Sequence, residues 1–85
     1  SQMSVFFLDC FRFCMNDTEY NVLLNKRDLD VYEYEIWKRD NRKMSLVTIV
    51  NLSLDEFKEY YYADERTTNC RIIDNVIVPL IEKMR

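Results

Sequence analysis

Hydrophobic and polar positions along the chain repeat with a period of two in its first part and with a period between three and four in its last. Near the start, "VFFLDCFRFCM" and "EYNVLLN" are dense in aromatic and β-branched residues, which suit a pleated, half-buried surface. They predict strands over 4–14 and 19–25. The first run also fits a helix burying Phe7, Cys10, Phe11 and Cys14. "DVYEYEIWK" alternates strictly, with Tyr32, Tyr34 and Ile36 on one face and Val31, Glu33, Glu35 and Trp37 on the other. A half-buried strand over 30–39 follows, its Tyr32, Tyr34 and Ile36 turned to a core. "MSLVTIVNL" is apolar on both faces, with Leu46, Val50 and Leu52 on one side and Val47 and Ile49 on the other. It predicts a strand over 43–51, covered on both sides or covered on one side by a partner.

The longer period begins after Ser53. Ser53 and Glu56 form an S-x-x-E capping box, and Asp55 and Glu56 complement the positive end of a helix dipole, which predicts a helix over 54–63. Leu54, Phe57 and Tyr61 would line its apolar face, with Tyr60 and Tyr62 flanking it. Cys70, Ile73, Ile77, Leu80, Ile81 and Met84 recur at helical spacing and predict a second helix over 69–84. Pro79 falls inside it. A proline removes one helical hydrogen bond, so a kink near 76–78 is expected; the other reading is a short final helix opened by Pro79 after a β segment.

These elements describe an α+β fold, an antiparallel sheet of about four strands with two C-terminal helices packed on one face. The 85 residues suffice for one compact domain, read as 3–85, with Ser1 and Gln2 ahead of Met3 read as an appended remnant. The chain contains no glycine, so positive φ must fall to Asn or Asp. Asn16-Asp17 and Asp40-Asn41 lie between strand-like runs and are expected to be turns.

Missing residue types exclude more chemistry than those present suggest. Without histidine the chain lacks the commonest general base, the Ser-His-Asp and Cys-His nucleophile systems and the commonest metal ligand. Without glycine it cannot build the usual phosphate-binding loops. Cys10, Cys14 and Cys70 are an odd number and include no C-x-x-C. They are expected to be small buried residues in a reducing, cytoplasmic compartment rather than disulfides or zinc ligands. There the sequons at Asn16 and Asn51 would go unused. Glu33 and Glu35 read as a solvated face rather than a catalytic pair, and no cofactor or metal is expected. The run "SVFFLDCFRFCM" is interrupted by charge and shorter than the ~20 residues that span a bilayer, so no signal or membrane segment is expected.

Surface chemistry therefore has to carry the function. The net charge of −3 does not suit a general nucleic-acid binder. Lys38, Arg39, Arg42 and Lys43 nevertheless surround one turn and would touch phosphate, with either Trp37 or Tyr32 and Tyr34 stacking on bases. The stronger expectation is a non-enzymatic protein-binding module. Its contacts would be Glu33, Glu35, Trp37, Lys38, Arg39, Arg42 and Lys43, with Tyr60 and Tyr62 from the "YYY" run, because aromatic residues are favoured in interfaces. In size and composition the chain resembles the accessory and inhibitor proteins that phages and other viruses direct against host proteins. A homodimer through 44–52 or the aromatic face is a further expectation, and a regulatory protein bound to nucleic acid through the 38–43 turn is the alternative.

Overall fold

A computed structural model describes residues 7–28 and 30–85, with side-chain surroundings for 9–25 and 30–85. Ser1, Gln2 and the first three residues of the strand expected over 4–14 lie outside the described residues. Strands β1 (Phe7–Met15), β2 (Thr18–Asp28), β3 (Val31–Asp40) and β4 (Lys43–Ser53) form one antiparallel sheet in the order β1-β2-β3-β4. Helix α1 (Leu54–Tyr60) follows, then a continuous 19-residue helical run made of α2 (Glu65–Ile72), a π-helical turn (Ile73–Ile77) and α3 (Val78–Lys83). The fold is α+β, as expected, and β1 is a strand rather than the alternative helix. The chain divides into two compact units, Ser1–Leu54 and Asp55–Arg85.

In the first unit, asparagine and aspartate stand where glycine usually would. Met15 pairs with Thr18 across a two-residue loop in which Asn16 and Asp17 have φ of 52° and 64°, the two positive values of a type I′ turn that matches strand twist. At the second hairpin Asp40 pairs with Lys43, and Asn41 has φ of 59°. Short polar side chains tolerate this region better than others because they hydrogen-bond locally.

Period-two alternation then sorts the side chains. Tyr20, Val22, Leu24, Tyr34, Ile36 and Leu52 share one face of the sheet and are all buried, and Val22, Tyr34 and Ile36 are fully enclosed. Phe13 pairs with Tyr20 on this face, their rings stacked at 5.1 Å. Cys10 and Cys14 fall on the opposite face with Arg12 and are exposed, and Cys70 is exposed as well. The expectation that the cysteines are buried is thus overturned, since alternation gives the core face to Phe11 and Phe13 instead.

Strict alternation fails in β4. Ile36 pairs with Thr48 but Trp37 pairs with Leu46, so Val47 is an extra residue, a β-bulge. A one-residue slip moves every later side chain to the other face. Leu46, expected beside Val50 and Leu52, lies instead with Ile49 and Trp37.

Helix α1 begins at Leu54, directly after Ser53 and at the boundary of the two units, but ends at Tyr60, short of the expected 63. The next helix starts at Glu65, four residues before the expected 69, because Asp64 caps it. The Asp64 carboxylate accepts hydrogen bonds from the Thr67 amide (2.9 Å) and hydroxyl (2.6 Å). Thr68, Ile72, Ile77 and Ile81 are buried along this run, with one five-residue step between Ile72 and Ile77, across the π turn. There the Val78 amide donates to the Ile73 carbonyl, five residues back. Pro79, next in the chain, has no amide hydrogen, and in a regular helix its ring would collide with the Asn75 carbonyl. The wider turn admits the proline without ending the helix, and no β segment precedes it. It also shifts the buried stripe by one residue, which puts Ile72 in the core and leaves Cys70 exposed.

Two outcomes test these points. The Tyr34 hydroxyl is buried with no hydrogen-bond partner among the described residues, and burial pushes its phenol above the ordinary tyrosine range, with the neighbouring Tyr32 and Asp9 acting in the same direction. The neutral form is favoured in the fold, so its stabilising effect is complete below the ordinary value of about 10 and declines above it. Tyr34→Phe is expected to leave stability at pH 7 unchanged or raise it by up to about 1 kcal/mol, and to extend the alkaline limit of urea-measured stability. For Asp64, the hydroxyl and then the amide of Thr67 hold the carboxyl below the usual aspartate range. Its contribution is present above that range and disappears as pH falls through the lowered value. Asp64→Asn, which retains a capping oxygen, is expected to flatten this acid-side loss of helical circular dichroism.

Candidate functional site

The face opposite Tyr34 and Ile36 carries most of the residues expected to meet a partner. Cross-strand pairing arranges it in rows, and the central ones are Cys10–Leu23–Glu35–Ile49 and Arg12–Asn21–Trp37–Leu46. The row Asn25–Glu33–Asn51 lies on one side of these and Cys14–Glu19–Arg39–Met44 on the other. Along β3 the sequence Glu33, Glu35, Trp37, Arg39 makes one end of the face acidic and the other basic.

Glu35 fixes the centre of this face. Its Oε1 accepts a hydrogen bond from the Trp37 indole nitrogen at 3.0 Å, and its Oε2 accepts one from Asn25 Nδ2 at 2.9 Å. Asn25 is fully buried, so Glu35 links the indole to an anchored amide on β2. Such charge-assisted bonds hold a ring in place and leave its apolar surface outward. Glu35 is thereby a strut as well as a surface charge. Toward the hairpin end, the Asn21 amide lies 3.4 Å from Glu19 and 3.9 Å from the Met44 sulfur, and Arg12 reaches Glu19 at 3.8 Å.

Beside this network the face is apolar and open. Met44, Leu46 and Ile49 are 43%, 48% and 44% exposed. The sequence pointed to 44–52 as a whole as a homodimer surface but did not group these three, because without the bulge at Val47 Met44 and Leu46 would lie on the core face, opposite Ile49. A mixed run such as "KMSLVTIVNLS" carries no glycine to mark a bulge.

The basic turn is divided. Lys38 and Lys43 lie on the same side as Ile36, Arg39 on the side of Trp37 and Arg42 in the loop, all exposed. The four cations do not form one groove. In the tyrosine run, Tyr60 is half-buried at the end of α1, whereas Tyr61 and Tyr62 are 60% and 54% exposed. Once the helix stops at Tyr60 its period no longer assigns the next two rings. Phe57 and Tyr61 remain in ring contact at 6.1 Å. Tyr62 is held by its backbone: its amide donates to the Thr68 hydroxyl at 2.8 Å, and that hydroxyl lies 3.2 Å from the Tyr62 carbonyl.

Among the described residues there is no group of three acidic or cysteine side chains placed to hold a metal ion, and no helix is long and apolar enough to cross a membrane. If Glu35 is the strut that seats Trp37, Glu35→Ala is expected to shift the tryptophan emission to longer wavelength and to lower stability by about 1–2 kcal/mol; unchanged emission in dilute solution would count against that role. Comparison of the chain with protein-family models, with curated proteins and with solved structures gives no match.

Proposed function

We propose that this chain is a non-enzymatic protein-binding module that acts by occupying the surface of another protein through the open face of its sheet. The observation that supports this most is the exposed set Met44, Leu46 and Ile49 beside Trp37. Contiguous apolar surface rimmed by polar groups is the usual mark of an interaction site, and a seated tryptophan is a favoured anchor in one. Glu33, Arg39, Arg12 and Glu19 form the polar rim, where charge sets orientation and association rate more than affinity. Tyr62, exposed on a short tethered segment, is a second contact candidate in the helical unit.

A small chain that presents such a face, with no histidine or glycine-based chemistry, suits an inhibitor of the kind phages and viruses direct at host proteins. Its three exposed, unpaired thiols suit a reducing, cytoplasmic setting. Nucleic acid is the partner the 38–43 turn would serve, and the division of its cations between two faces weighs against it.

Affinity capture by the tagged chain from its native cells, with nuclease treatment, tests this reading. A protein that stays bound after nuclease, and whose recovery drops about tenfold with Leu46→Arg, is the expected result. Trp37→Ala is expected to weaken capture similarly, with stability changed by no more than about 1 kcal/mol. A partner lost with the nucleic acid, or one held equally well by Leu46→Arg, overturns it.

A further inference from the structure

The open face carries its charges in an order that bears on self-association. β3 contributes Val31, Glu33, Glu35, Trp37 and Arg39 to this face; of these, the charged pair Glu33 and Arg39 and the inner pair Glu35 and Trp37 are both centred on position 36. The flanking strands follow the same levels: Ile49 stands with Glu35, and Leu46 with Trp37.

We propose that the open face binds a second copy of this chain, face to face, about a two-fold axis that crosses β3 at position 36 and reverses its direction. With the strands of the two copies aligned, as face-to-face sheets commonly are, two in-plane axes lay one such face on another. An axis along β3 keeps every level opposite itself, so Arg39 meets Arg39 and Glu33 meets Glu33 of the second copy. Like charges so placed disfavour the pairing. The axis across β3 exchanges the levels instead. Glu33 then lies over Arg39 of the second copy, Ile49 over its Leu46, and Glu35 over its Trp37. The apolar strip meets an apolar strip and, along β3, each glutamate meets an arginine, while Glu19 beside Arg39 stays paired with Arg12 of its own chain; this is the self-complementarity that an isologous contact requires. Glu35 enters such a contact with both oxygens already hydrogen-bonded, which offsets part of the cost of covering its charge.

The β4 edge is the weaker route to a dimer, because a bulge on an edge strand twists it away from edge-to-edge pairing. Four rows of residues on four strands cover roughly 20 by 15–20 Å, the scale of a weak interface rather than an obligate one. The dimer should therefore dissociate on dilution. This inference shares a face with the proposed function but not a partner, so each can fail without the other.

Sedimentation velocity on the full chain, with reductant to keep Cys10, Cys14 and Cys70 as thiols, should show monomer passing to dimer as concentration rises to roughly 1 mM. Emission from Trp37, the sole tryptophan, should shift to shorter wavelength with the same midpoint. Leu46→Arg should remain monomeric. Arg39→Glu and Glu33→Arg should each weaken association about tenfold, and the double exchange should restore it to within about threefold. Far-ultraviolet circular dichroism identifies any variant that fails to fold, and Arg39→Lys with Glu33→Asp, which keep the charge order, should still dimerise. A chain that stays monomeric throughout, a dimer indifferent to Leu46→Arg, single exchanges without effect, or a double exchange that fails to recover association would each overturn the proposal. In the first case the face would be left to a foreign protein alone.

Discussion

Everything in the sheet unit depends on the two-residue period of β3 and on its position between β2 and β4. Tyr34 and Ile36 are fully enclosed, while Glu35, between them in sequence, lies on the other face. Both neighbouring strands pair directly with β3, so its parity is transmitted to them: Val22 and Leu24 follow Ile36 and Tyr34 into the core, and Asn21 and Leu23 follow Trp37 and Glu35 to the open face. Burying one of these faces fixes the register, since a slip by one residue would exchange core for surface along the whole strand. The bulge at Val47 is a controlled use of that slip. It leaves Leu52 buried and turns Leu46 and Met44 outward, which converts a scattered set of apolar residues into a strip beside Trp37.

The backbone meets its special requirements without glycine. Tight hairpins need positive φ, and Asn16, Asp17 and Asn41 supply it. The helical run meets a different one, since Pro79 removes a donor and crowds the carbonyl four residues back. The π turn widens the backbone just ahead of it, and the Asn75 side chain donates to the Arg71 carbonyl at 2.8 Å within the same stretch. A local irregularity thus lets a helix continue, and it moves the buried positions by one residue.

The open face combines order with exposure. Its polar groups are largely engaged with one another: Glu35 with Trp37 and Asn25, and Arg12 and Asn21 with Glu19. Its apolar groups on β4 are the ones that remain accessible. Such a face loses little side-chain freedom on binding, since its central ring is already oriented, and preorganisation of this kind favours association.

Much of the fold was legible in the chain. Alternation in "DVYEYEIWK" assigned Tyr34 and Ile36 to the core and Glu35 and Trp37 to the other face, because a strand offers only two directions and one must exclude water. The Asn and Asp pairs marked both hairpin turns, since only such residues accept positive φ where glycine is lacking. Asp64 carried a capping signal that hydrophobic spacing concealed, and the helix therefore starts earlier than the apolar stripe implies. What only the tertiary structure decided were the offsets, the bulge at Val47 and the π turn before Pro79. Each inserts one residue into a repeat; Pro79 marked the place of the second but not its form, and nothing in "KMSLVTIVNLS" marked the first, because such an offset becomes favourable only when a paired strand or a turn of helix closes around it. Those single-residue insertions placed Leu46 beside Trp37 and exchanged Cys70 and Ile73 for Asn69 and Ile72 in the buried stripe.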